Sequence, residues 1–326
     1  MSGSFTGYRR ILAATDFSPY AVAALKRAVW LAQQNNSHLV LAHSVADLRR
    51  AVSKTSYRSR IEFLEGSEEH FQRELRRESD EKLRKTIEGL GATGLEIRYE
   101  TLLGEPSVEL IHSVQQEQHD LVVTGTRGHG TWARLVLGST ARRLVRNCPS
   151  AVWIVKSQDV QPPAAIVVAV DLSEASRGAL GQAVWLGGRL GASVHVLHVI
   201  EASEIPQDLL DQTSANPAGT MRQQIDREAD QALDELVHES GGTTSLQRHL
   251  TWGAPAEEIV KLAHQVTAGL IILGTVGRSG LQGLLLGNTA ESVLAHAECD
   301  VLAVKPAGFV SPIVPVLEKL HPGPAR

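Results

Sequence analysis

Short apolar runs bounded by polar turns recur along the chain, separated by stretches whose apolar residues fall at helical spacing. Arg10-Ile11-Leu12-Ala13-Ala14-Thr15 reads as a buried strand ending at Asp16. Phe17-Ser18-Pro19 turns the chain, with Ser18 as N-cap and Pro19 at the first helical position. Val22, Leu25, Val29 and Ala32 carry the apolar face of the helix that follows, and Asn35-Asn36-Ser37 stops it. Leu39-Val40-Leu41-Ala42 is the next strand, and residues 46–66 show no period that assigns them. From Ser67 to Leu90 the chain is densely charged, with one apolar stripe through Phe71, Leu75, Leu83, Ile87 and Leu90. This reads as a helix with one face on a sheet and a solvated outer face, in preference to a partner-binding helix. A strand over Leu95–Leu102, a turn at Gly104-Glu105-Pro106, a helix from Ser107 to Glu117 and a strand over 121–124 follow. A glycine-bearing loop, a helix over Ala141–Arg146 and a strand over Ala151–Val155 complete the series.

The series then restarts. Gln158 to Pro163 is polar and proline-bearing and reads as a linker, after which Ile166-Val167-Val168-Ala169-Val170-Asp171 matches the first strand and its Asp. An offset of 155 maps Asp16 onto Asp171, Ser18 onto Ser173, Trp30 onto Trp185 and His43 onto His198. Later the offset is 149, mapping Gly104 onto Gly253, Pro106 onto Pro255, Gly125 onto Gly274, Gly138 onto Gly287 and Lys156 onto Lys305. The six-residue difference falls in the charged helix and its flanks, outside the core pattern. The expected division is a first domain over 1–157, a second over 158–306 and a proline-bearing tail over 307–326, extended apart from a short helical piece near Pro315 to Leu320. Strands alternating with helices give an α/β class: two tandem doubly wound domains, each a five-stranded parallel sheet with helices on both faces.

Candidate chemistry sits at the second half of each repeat. Gly125-Thr126-Arg127-Gly128-His129-Gly130 follows an apolar strand, and Gly138-Ser139-Thr140 stands at the start of the next helix. Glycines let the backbone take positive φ and approach a ligand closely. A helix N-terminus offers free N–H groups and a partial positive charge, which suits a phosphate, and Ser139 and Thr140 add hydroxyls. The spacing is G-x2-G-x9-G-[ST]; the second copy runs Gly274, Gly277 and Gly287-Asn288-Thr289.

That spacing resembles the ATP-binding motif of the universal stress protein family, and two copies in one chain resemble its tandem form over about residues 8–306. The resemblance implies the strand order 3-2-1-4-5 in each half. In that order the chain direction reverses between the first and fourth strands, where open α/β sheets bind ligands beyond the strands' carboxyl ends. Asp16 and Gly125 would then meet at one crevice, as would Asp171 and Gly274. The resemblance assigns Asp16 to nucleotide contact rather than to a plain turn. Ala14 and Thr15 would line the adenine side, and Ser44 occupies a family position that is often Val. Thr124, Gly125 and Gly128 would lie along ribose and phosphates, and Gly138, Ser139 and Thr140 would hold the distal phosphates. Arg127 is either a phosphate contact or an exposed loop charge. His129 reads as a solvated loop histidine in preference to a proton shuttle. In the second copy Val276 replaces Arg127 and Asn288 replaces a Ser/Thr, which predicts weaker nucleotide binding or a different ligand. Family members commonly dimerise through the last strand, which implies an intrachain pseudo-dimer here through Ala151–Val155 and Asp300–Val304. A homodimer and a protein partner of unknown identity stay open.

Other chemistries lack their residues. No G-x4-G-K-[ST] is present, Gly128-x-Gly130 is only a fragment of a dinucleotide fingerprint, and no G-x-S-x-G or spaced carboxylate pair points to hydrolysis. His195 and His198, three apart on a strand, point to opposite faces and make a poor metal pair. The expectation is a regulatory adenine-nucleotide-binding protein, ATP foremost and with Mg2+ possible; a slow ATPase and a scaffold with empty sites are the alternatives. Composition changes this little. A net charge of −4 over 326 residues demands neither nucleic acid nor an anionic membrane, and no apolar run approaches the ~20 residues of a membrane helix. Cys148 and Cys299 are too few for a disulfide framework and read as buried, reduced thiols of a cytoplasmic protein without a signal peptide.

Overall fold

The computed structural model describes residues 5–47, 65–92, 94–126, 137–158, 161–201, 217–241, 246–276 and 286–314. Strands β1 (Arg10–Ala14), β2 (His38–Val45), β3 (Ile97–Leu103), β4 (Leu121–Gly125) and β5 (Ala151–Val155) alternate with helices α1 (Pro19–Asn35), α2 (Glu65–Gly89), α3 (Pro106–Glu117) and α4 (Ser139–Asn147). The second half repeats this with β6 (Ala165–Ala169), β7 (Ser193–Ile200), β8 (Leu246–Trp252), β9 (Leu270–Gly274) and β10 (Asp300–Val304). Its helices are α5 (Glu174–Leu190), α6 (Pro217–Glu239), α7 (Pro255–Gln265) and α8 (Asn288–His296). The helix expected over Ala141–Arg146 begins two residues earlier, at Ser139, so both hydroxyl residues lie inside its first turn. The expected helical piece near Pro315 to Leu320 lies outside the described residues.

All ten strands form one sheet in the order β3-β2-β1-β4-β5-β10-β9-β6-β7-β8. Each half therefore has the order 3-2-1-4-5, parallel throughout. The halves join where β5 and β10 pair antiparallel, Val301 opposite Ile154 and Ala303 opposite Val152. The expected intrachain pairing of the last strands is thus present, and both strands are buried along their whole length. Strand side chains alternate between two faces, so Ile11 and Ala13 enter one core and Leu12 and Ala14 the other. Each core runs unbroken across the seam, one including Trp153 with Leu302 and the other Val152 with Val301.

A buried ion pair crosses the seam. Arg27 of α1 lies 3.5 Å from Asp300 at the start of β10, their side chains 3% and 1% exposed. Asp300 also accepts from Trp153 Nε1 at 3.1 Å and from the Lys156 and Ser157 N–H groups at 3.0 and 3.3 Å. Burial pushes the Asp300 carboxyl above the ordinary carboxylate range, against the opposing pull of Arg27 and these donors. After β10 the chain crosses back to the first half, where Gln115 Nε2 donates to the Ile313 carbonyl at 2.9 Å.

Candidate functional site

Two clefts open at the carboxyl edges of the two half-sheets, and the same local sequence builds each rim. After β1, Asp16 closes a tight turn by accepting the Ser18 N–H on Oδ1 at 3.0 Å; after β6, Asp171 accepts the Ser173 N–H at 3.1 Å. The intervening Phe17 and Leu172 sit at φ 64° and 61°. That is an uncommon conformation for large residues, repeated at matching places beside both clefts. Asp16 thus has a turn role, as one reading of the sequence allowed, while its side chain also faces the cleft.

The first cleft encloses about 280 Å3. It brings together Ala14, Thr15, Asp16, Ser44, Thr124, Gly125, Gly138, Ser139 and Thr140, the sequence candidates in the described part of that half. The second, about 540 Å3, gathers Asp171, Gly274, Gly287, Asn288 and Thr289. Arg127, Gly128, His129 and Gly277 lie outside the described residues. Residues more than a hundred positions apart converge because β1 and β4 are neighbours in register, Ala14 beside Thr124.

Four glycines border the clefts, and their backbone geometry and packing differ. A Cβ on Gly125 would stand 2.8 Å from the Tyr20 carbonyl carbon and 2.9 Å from the Ala21 nitrogen. A close approach that requires glycine there is to the first turn of α1. Among the described residues, a Cβ on Gly274 would meet nothing nearer than the Val276 carbonyl oxygen at 3.5 Å. Gly138 and Gly287, the N-caps of α4 and α8, hold φ −58° and −75° with ψ 153°, so neither needs the positive φ that only glycine takes readily. Their N–H groups are spent on Thr126 and Thr275 carbonyls at 2.8 Å, and no side chain caps either helix. The free first-turn donors are those of the residues that follow.

Sequence reasoning missed the histidines as lining groups. His43 and His198 each face a cleft, and their Nδ1 atoms lie 2.8 and 2.9 Å from the carbonyls of Thr15 and Val170. A carbonyl only accepts, so Nδ1 carries a proton, and in the neutral ring Nε2 is then the acceptor. The signal was present in the sequence: both histidines fall at the same place in the repeat. Pro106 with Leu110, and Pro255 with Ile259, add an apolar wall to each cleft from α3 and α7. Ser44 turns its hydroxyl to the Gly104 carbonyl at 2.9 Å.

The clefts differ in charge. The first turn of α4 has no acid, and Arg143 in α4 pairs with Glu105, the N-cap of α3, at 2.7 Å. In contrast, Glu201 adds a second carboxylate to the wall of the second cleft that Asp171 already lines, while Glu291 in the first turn of α8 stands outside that lining and pairs with Arg146. Thr275 Oγ1, also lining the second cleft, is buried without a hydrogen-bond partner among the described residues. The discounted metal pair stays apart: His195 pairs with His249 Nε2 at 3.0 Å, and His198 with the Val170 carbonyl. Among the described residues no three His, Cys, Asp or Glu side chains converge as metal ligands, and no described helix is long and apolar enough to cross a membrane.

Comparison with known proteins agrees with this architecture. The universal stress protein E of Photorhabdus laumondii is 26% identical over 316 residues, spanning 94% of this chain and 98% of that relative. Universal stress protein E of Escherichia coli K12 is 30% identical over 222 residues, spanning 64% and 67% of the two chains. A solved protein of unknown function from Pseudomonas aeruginosa PAO1 shares the fold at TM-score 0.63 and 22% identity, covering 92% of this chain and 94% of that one. A universal stress protein from Archaeoglobus fulgidus superposes at TM-score 0.58 and 20% identity, covering 91% and 98%. The model of the universal stress protein family matches residues 7–156 and again 164–305, and the chain therefore belongs to that family, in tandem form.

Proposed function

We propose that the protein binds an adenine nucleotide as a regulatory ligand, mainly in the first cleft. The observation that carries this reading is the convergence of Asp16, His43 and Gly125 with the uncapped, acid-free N-terminus of α4 on one cleft. The base would lie against Ala14, Thr15 and Ser44, with His43 Nε2 positioned to accept from an exocyclic amino group. Asp16 would take the ribose hydroxyls. The phosphates would meet the N–H groups and hydroxyls of Ser139 and Thr140, with Gly138, Arg127 and Gly128 bordering them. Magnesium would enter on a triphosphate, held by its oxygens and by water.

The second cleft, through Asp171, Gly274, Gly277, Gly287, Asn288 and Thr289, would bind phosphate more weakly. Glu201 opposes an anion there, and Asn288 offers an amide in place of a hydroxyl. The sequence after β9 carries Arg278 two residues after Val276, so an arginine occurs in both loop sequences, at different positions. We divide the chain at 157/158 and 306/307 and place the protein in the cytoplasm, where a stress signal would be read out through nucleotide-dependent affinity for a protein partner. Thermal unfolding with ATP, ADP, AMP and cyclic AMP tests the reading. A bound ligand stabilises by RT ln(1 + [L]/Kd), about 2.7 kcal/mol at a hundredfold excess over Kd. An unfolding temperature that none of the four moves would refute it.

A further inference from the structure

The antiparallel seam has a consequence for both clefts. Because β5 and β10 run in opposite directions, the residue leaving one strand lies beside the helix that leads into the other. Lys156, just past β5, extends its ammonium to the carbonyls of Leu294 and Ala297 at 2.7 and 2.6 Å, at the carboxyl end of α8. Lys305, just past β10, does the reverse: it donates to the carbonyl of Val145 and, at 3.1 Å, to that of Arg146, at the carboxyl end of α4. Val145 and Leu294 are equivalent positions in the repeat. A helix leaves its last carbonyls without intrahelical partners, and a cation there also complements the helix dipole. Both helices are only nine residues long, roughly 13 Å, so a clamp at one end governs where the other end points. The other end of each is the N-terminus that opens on a cleft. A further link crosses the seam: Arg146, last turn of α4, pairs at 3.1 Å with Glu291, first turn of α8.

We propose that Lys305 and Lys156 are crossed positioning residues: each holds the cleft-facing helix of the opposite half, so that each nucleotide site is completed by a lysine of the other repeat. The consequence for nucleotide affinity rests on the function proposed above; the crossed control of the helices does not. Neither lysine touches its cleft. Lys305 lies over the Phe309 ring at 4.3 Å, which holds the ammonium in place from the tail side.

The test uses the full chain with Lys305→Met and Lys156→Met, and the Gln variants where loss of the charge impairs folding, since Gln keeps an N–H donor. Amide hydrogen exchange is followed over residues 139–148 and 288–297 without ligand, and ATP binding by calorimetry. Lys305→Met should speed exchange in 139–148 at least tenfold and leave 288–297 as in the parent, and Lys156→Met should do the opposite. Lys305→Met should also weaken ATP binding at the first cleft about tenfold, while Lys156→Met leaves it unchanged. Both variants loosening both helices equally, or each loosening the helix of its own half, would overturn the proposal. A parent chain that binds no ATP refutes the functional reading alone, and the exchange pattern still decides the crossing.

Discussion

The two halves share a backbone plan and differ in what they place on it. Both turn after an Asp through a left-handed residue, both fix a histidine by its Nδ1, and both start a nine-residue helix at an uncapped glycine. The seam between them is nonetheless lopsided. Arg27 and Trp153 of the first half serve Asp300 of the second, while the equivalent positions hold Gln182, Leu302 and Ala151. The repeat thus conserves the frame of the clefts and lets charge diverge at the seam and at the helix N-termini. A pairing of first half with first half would bury two arginines without their carboxylate. The asymmetry therefore favours pairing one half with the other.

The largest effect that would break this comparison is expected at the seam. Asp300→Ala leaves Arg27 buried without its ion-pair partner and should cost about 3–5 kcal/mol in urea unfolding. Ala151→Gly, at the equivalent place, should cost only about 1 kcal/mol. Equal losses at the two positions would show that the seam is symmetric after all.

Next come the glycines that end β4 and β9. Gly125→Ala drives a methyl to 2.8 Å from the α1 backbone, so the helix must shift, at a cost of about 1–3 kcal/mol. Gly274→Ala makes only ordinary contacts and should change stability by less than about 1 kcal/mol. A thermal melt of the two variants distinguishes them, and similar losses would contradict the packing assigned to Gly125.

A smaller effect concerns pH. Burial pushes His119, at the entrance to β4, down to about 4, so the folded chain keeps its ring neutral. Between the unfolded value near 6.5 and that folded value, the unfolded chain binds the extra proton. Stability is therefore lost as pH falls through this window, by at most about 1.4 kcal/mol per pH unit from this one group. The second half has Ala268 at the equivalent place, with no ring to titrate. His119→Phe should flatten acid unfolding between pH 6.5 and 4, and an unaltered profile would remove His119 from the account.

The strands, the helices and the twofold repeat were legible in the sequence from period and turn residues, whereas the strand order, the convergence of Asp16 with Gly125 that follows from it, and the β5–β10 pairing came from the family resemblance. The seam ion pair was not. Arg27 falls among polar-compatible positions of an amphipathic helix and Asp300 opens an apolar strand, so neither residue announces a partner in the other repeat. The crossed lysines were visible only as a repeat landmark, since their partners are backbone carbonyls, which leave no residue signature. Gly125 was legible as a glycine, but not why: spacing cannot distinguish approach to a ligand from approach to a helix. His43 and His198 were legible as a matched pair, and their roles needed the Nδ1 contacts.

The central claim is that the clefts are unequal toward phosphate, and calorimetric titration of the full chain with ATP tests it most directly. Each lost charge-assisted hydrogen bond costs about 1.5–3 kcal/mol, roughly one to two orders of magnitude in affinity. Gly138 and Gly287 hold backbone angles that valine also takes, so Gly138→Val and Gly287→Val alter the clefts without straining the turns. The account predicts one tight site per chain, abolished by Gly138→Val through crowding of the phosphate and retained in Gly287→Val. Two equal sites, or a tight site that survives Gly138→Val and is lost with Gly287→Val, would contradict it.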